Sequence, residues 1–222
     1  CLYHAIRQSI VNPDEICLAP VSGFHHANPR TGALFCAFSG QVIASYKIYK
    51  EFGLSGCYID LDGHYGNSID NSYGFVPELE KAIPKEIGNI NIESRHEAYI
   101  KELKEKLTLL RADILQKKIH YVVFCHGADS HEDDDLGMQL TMEEWFHCSE
   151  LVYGMVKELQ NEHGIRLPLS LCLFGGYRKD DFESVLALHA GDLVVCLDVL
   201  GIKYIHNSIN SLLFLKCKKE KL

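Results

Sequence analysis

Four short stretches of the 222-residue chain hold residue types that do chemistry. Asp62 and His64 stand two apart around Gly63. On a strand, side chains at that spacing point to one side, so a carboxylate oxygen and an imidazole nitrogen can meet a single metal ion. Asp129, after a different apolar run, completes three protein ligands. Three ligands leave a position open for water, the pattern of a catalytic rather than a structural zinc. The same donors also suit Fe2+ or another divalent ion. The adjacent pair His25 and His26 offers a general base and a second proton-transfer group beside that water. Tyr177, preceded by two glycines, offers a hydroxyl to a developing oxyanion. Asp60 and Asn67 can stand behind the imidazoles and fix their tautomers.

The elements that must position these residues alternate. The apolar pattern predicts helices over 2–10, 32–51, 76–85, 97–118, 142–163 and 180–200. It predicts strands over 15–21, 56–61, 90–94, 119–125 and 167–174. Thr141 and Glu144 have the spacing of a capping box, and Pro77 falls where a first helical turn tolerates proline. Near-continuous apolar strands separated by helices predict an α/β fold, a mainly parallel sheet with helices on both faces. In such sheets ligands sit at the carboxyl ends of the strands, where all four stretches fall.

Other polar residues read as structure. His120, His147 and His189 are expected to pack or face solvent, while His126 and His131 flank Asp129. The acidic run 132–135 reads as a solvated loop able to attract a cationic substrate. Trp145 is expected to pack in the first turn of its helix.

Composition sets the outer bounds. Lys plus Arg number 22 against 30 Asp plus Glu, a formal net charge of −8, which disfavours broad nucleic-acid binding. With 47% hydrophobic residues, the chain can bury one substantial core and is expected to form one domain over 1–222. There is no run of eighteen apolar residues, so no membrane span is expected. Nine cysteines without a C-x-x-C pair point to reduced, buried thiols and a cytoplasmic setting. The chain begins at Cys1, already inside a helical pattern, and a missing N-terminal portion is expected. The tail 216–222 is basic.

Taken in order, SGFHHA at 22–27, YIDLDGHYGN at 58–67, GADSHEDDDLGMQLT at 127–141 and FGGY at 174–177 resemble the zinc-dependent histone deacetylase superfamily. The third stretch is similar to its bacterial and class II members, and the superfamily includes acetylpolyamine amidohydrolases and acetoin-utilisation-type proteins. The resemblance implies a three-layer arginase/deacetylase-like fold and zinc-dependent hydrolysis of an N-acyl amide, with metal-bound water as nucleophile. By that resemblance Asp62, His64 and Asp129 are the zinc ligands. His25 and His26 flank the water, and Tyr177 polarises the acyl carbonyl. His26 then serves as base and His25 electrostatically, although the two roles are interchangeable at this stage. The resemblance also implies a monovalent cation such as K+ beneath the zinc, at Asp60, Asp62, His64, Ser94 and the Arg95 carbonyl. Phe35 and Cys36 match one wall of a substrate tunnel. Departures include Tyr65, Ser68 and Gly63 in place of the usual residues. About ten extra residues stand around 71–87, and an aromatic loop is missing before His96. An acyl-lysine is the leading substrate. An acylated polyamine or small amide, or a non-catalytic deacetylase-like binding module, stays open.

Overall fold

The computed structural model describes residues 1–202, so the basic tail read at 216–222 lies outside the described residues. Five parallel strands form one sheet: β1 (Cys17–Ala19), β2 (Gly56–Asp60), β3 (Asn89–Asn91), β4 (Tyr121–Gly127) and β5 (Leu169–Phe174). Their order across the sheet is β1-β5-β4-β2-β3. From β2 the chain moves outward to β3, and from β4 it moves the opposite way to β5. The β2–β4 boundary is therefore the point where the winding reverses, the place where sheets of this kind bind ligands at the carboxyl edge.

Alternation along the strands builds two cores. Cys57, Ile59, Val122, Phe124, Leu169 and Leu171 face α5 (His96–Leu115), α6 (Met142–His163) and α7 (Phe182–Leu200). Tyr58, Tyr121, Val123, Cys125 and Cys172 face α1 (Leu2–Val11) and α2 (Gly40–Phe52), with the short helices α3 (Ser68–Ser72) and α4 (Leu79–Ala82). Both faces are covered, which is why the strands read as continuous apolar runs. In the core under α2 the polar groups pair with one another: Ser45 Oγ lies 2.8 Å from both the Tyr58 and the Tyr121 hydroxyls. The eight cysteines among the described residues are all unpaired thiols. No helix among the described residues is long and apolar enough to cross a membrane.

Several predicted boundaries move for local reasons. The helix expected from residue 32 starts at Gly40, where Ser39 Oγ accepts the Val42 N–H. The segment before it is a loop closed by an Ala33–Cys36 bridge, with Leu34 and Phe35 both left-handed. The helix expected over 76–85 shrinks to Leu79–Ala82, because Pro84 forces Ile83 into an extended conformation. Strands expected at 15–21 and 90–94 pair only over Cys17–Ala19 and Asn89–Asn91. The helix from Met142 to His163 forms as expected, with the reciprocal Thr141–Glu144 capping box.

Trp145, in the first turn of α6, is fully buried and donates its indole N–H to the Gly127 carbonyl at 2.9 Å. It ties α6 to the last residue of β4. Trp145→Ala is expected to cost about 3–5 kcal/mol of stability, read as a lowered denaturation midpoint. A change below about 1 kcal/mol would show that this anchor is dispensable.

On α7, burial and then the neighbouring His126 hold His189 below the ordinary imidazole range, while its ring bonds the Gly175 backbone. In the unfolded chain His189 titrates near 6.5, so below about that pH the unfolded state binds the extra proton. This contribution to stability is present at neutral pH and is lost as pH falls below about 6.5. His189→Gln is expected to flatten the pH dependence of the urea midpoint over that window. An unchanged slope would remove His189 as its source.

Candidate metal centre

The carboxyl edges of β2 and β4 deliver the centre. Beyond β2, Asp62 and His64 lie in a turn rather than on the strand. They meet because Asp62 Oδ1 accepts the His64 N–H at 3.0 Å and approaches His64 Nδ1 at 3.1 Å, not through the alternation of a strand. Beyond β4, a 3-10 turn (Ala128–Ser130) carries Asp129, whose Oδ2 is 2.8 Å from the same His64 Nδ1. One ligand atom from each of Asp62, His64 and Asp129 lies within 4.8 Å of the others, so this buried Asp-His-Asp group can hold a metal ion.

Two observations show that the residues fit such an ion. Asp129 is fully buried, yet its Oδ1 has no hydrogen-bond partner. An orphaned buried carboxylate oxygen is costly without a cation. The backbone also packs closely around that carboxylate. A Cβ on Gly175, which has φ +45°, would fall 1.9 Å from Asp129 Oδ1. A Cβ on Gly63 would fall 3.0 Å from Oδ2, so glycine at 63 permits the close approach. Burial, with the Asp129 charge beside it, raises Asp62 to about 7 even though His64 bonds to it. Hydrogen bonds to Asp129 and Asp62 raise His64 to about 10.

The paired histidines reach the centre on the long loop after β1, latched where the Ser68 N–H donates to the His25 carbonyl at 2.8 Å. Their ring centroids are 4.0 Å apart. His25 Nδ1 lies 3.0 Å from Asp60 Oδ2, and His25 Nε2 lies 3.7 Å from Asp62 Oδ1. Burial opposes a charge on His25, but Asp60 outweighs it and raises the ring to about 9. His26 Nδ1 lies 3.4 Å from Asn67 Oδ1, and burial followed by the His25 charge lowers His26. The Tyr177 ring stands 5.9 Å from His64 and 6.0 Å from Phe35. Burial and then the Asp62 and Asp129 charges push its phenol up, which keeps the proton on the hydroxyl.

Other expected residues divide. Phe35 stands 84% exposed beside Tyr177, whereas Cys36 is buried behind the histidine pair, bonded to the backbone of His26 and His25. Ser94 and Arg95 sit beyond β3, next to the β2 edge. The Ser94 hydroxyl, however, donates to Glu102 at 2.7 Å. His126 and His131 do not join the metal group: His126 stacks flat on Trp145 at 3.6 Å, and His131 Nδ1 accepts the Asp133 N–H. His120 pairs with Ser55 and His147 with Glu150.

The acidic run is a correction. Only part of it is solvated. Asp134 is 4% exposed, and its two oxygens accept the Leu136 and Tyr177 N–H groups. Charge clustering pointed to solvent, and nothing in spacing marks which of three consecutive aspartates turns inward. Gln41, whose amide reaches Asp60 Oδ2 at 3.4 Å, was likewise hidden in a helix pattern. The chain matches no family model.

Asp129→Asn is expected to weaken Zn2+ or Co2+ binding by more than the roughly 10- to 100-fold typical of a partner behind a ligand. Calorimetric titration of the metal-free protein measures it. Equal affinity in wild type and Asp129→Asn would place the metal elsewhere.

Proposed function

We propose that the chain is a metal-dependent N-acyl amidohydrolase with an arginase/deacetylase-like fold, acting on an acylated lysine or an acylated polyamine. The reading is supported most by one convergence. A potential metal group, a carboxylate-backed histidine, an amide-backed histidine and a tyrosine hydroxyl meet at the point where the sheet's winding reverses. The order of the four stretches, resembling the zinc deacetylases, supports it further.

Asp62, His64 and Asp129 would hold the ion, and zinc suits two carboxylates and an imidazole. A divalent ion there supplies Lewis acidity toward a water and an acyl carbonyl. The remaining chemistry belongs to side chains. The Asp60 carboxylate favours a charged His25, which serves electrostatically. Asn67 brings no charge to His26, which stays neutral and can take a proton on its free ring nitrogen and return it to the leaving amine. The half-buried Tyr177 keeps its proton and donates to the oxygen where negative charge develops.

Tyr177→Phe separates this reading from simple packing. With a fluorogenic acetyl-lysine peptide and an acetylated polyamine as substrates, the variant is expected to lose about 10²–10³ in kcat while keeping its zinc. A variant with full zinc and more than about half the wild-type rate would remove Tyr177 from the chemistry. Zinc-loaded wild type that turns over neither substrate class would overturn the amidohydrolase reading.

A further inference from the structure

We infer that Asp134 is a positioning residue for Tyr177, and that the acidic segment 133–135 is the clamp that sets the tyrosine over the metal group. The inference rests on the proposed role of Tyr177. Three consecutive carboxylates meet three consecutive residues. Asp134 Oδ2 accepts the Tyr177 N–H at 2.7 Å, Asp133 Oδ2 accepts from the Arg178 guanidinium at 3.2 Å, and Asp135 Oδ2 accepts the Lys179 N–H at 3.3 Å. Asp134 is the buried member, and its other oxygen is fixed by the Leu136 N–H at 2.9 Å.

The need for a clamp follows from the two glycines. Gly175 must be glycine because the Asp129 carboxylate fills the space a Cβ would take, and Gly176, at φ +112°, lies where side chains rarely go. Neither residue carries a side chain that restricts its own backbone angles, so the placing of Tyr177 depends on contacts made from elsewhere. A donor acts on a developing charge only when held close to its productive place, and a 1 Å error can cost about 10²-fold in rate. A buried carboxylate is expensive unless it is fully hydrogen-bonded. The two backbone N–H groups satisfy Asp134, and one of them belongs to the residue whose hydroxyl the reaction uses.

The test compares Asp134→Ala and Asp134→Asn in the wild-type and Tyr177→Phe backgrounds, with zinc content measured throughout. Asp134→Ala is expected to lower kcat about 10- to 100-fold, with KM and zinc content changed less than about twofold. Asp134→Asn keeps one acceptor oxygen and is expected to lose less; it also serves if the alanine variant fails to fold. In the Tyr177→Phe background, either change is expected to move kcat by less than about twofold, because the hydroxyl being positioned is gone. An equal loss in both backgrounds would overturn the inference and leave Asp134 a structural residue. Amide hydrogen exchange of the metal-free protein gives an independent reading. Faster exchange at 175–179 in Asp134→Asn, with β4 and β5 unchanged, is expected, and unchanged exchange there would overturn the clamp. If wild type turns over no acyl substrate, the proposed function falls, while exchange still decides whether Asp134 holds Tyr177 in place.

Discussion

His64 Nδ1 lies 2.8 Å from one carboxylate and 3.1 Å from another, and both carboxylates are buried. His25 stands 3.7 Å from Asp62 but is itself paired with Asp60, so two imidazoles face three buried carboxylates and cannot balance them all. Burial raises Asp62 to about 7, and Asp129 keeps an unbonded oxygen. Such an arrangement costs several kcal/mol unless a cation completes it. The surroundings of the centre are intelligible as consequences of holding these two carboxylates together.

The sheet provides the first of them. Because the winding reverses between β2 and β4, the loops after these strands diverge and leave room for the turn bearing Asp62 and the 3-10 turn bearing Asp129. The Trp145 indole anchors the end of β4, and Ser130 Oγ bonds the same Gly127 carbonyl at 2.9 Å. Gly175 lets the chain after β5 pass against the Asp129 carboxylate, which brings Tyr177 to the same edge. Asp60, the last residue of β2, lies 3.0 Å from His25 Nδ1, and the other nitrogen of the same ring lies 3.7 Å from Asp62, which links the histidine pair to the Asp-His-Asp group.

Much of this was legible in the sequence because burial on both faces of a parallel sheet leaves a plain record. The runs at 56–61, 119–125 and 167–174 could only be buried strands, and chemistry-bearing residues follow each of them. The α6 boundaries were readable because Thr141 and Glu144 cap it locally. Long-range terms stayed hidden. Nothing local indicates that Asp134 turns inward while Asp133 and Asp135 stay nearer solvent, since the difference comes from the β5–α7 loop packing over it. The spacing of Asp62 and His64 pointed to the right partners through the wrong geometry, because a side-chain-to-backbone turn brings together what strand alternation also would. The loop at 32–39 read as helix because its small residues fit one, while the Ala33–Cys36 bridge and the left-handed Leu34 and Phe35 exclude it.

The central claim is that a cation completes the Asp62–His64–Asp129 group. Anomalous diffraction from crystals of the zinc-loaded protein, collected on both sides of the zinc absorption edge, tests it most directly. The account expects one strong peak within bonding distance of all three side chains, with Asp129 Oδ1 turned toward it or toward a water on it. A peak coordinated by other residues, or an empty density at this group in crystals that hold zinc elsewhere, would contradict it.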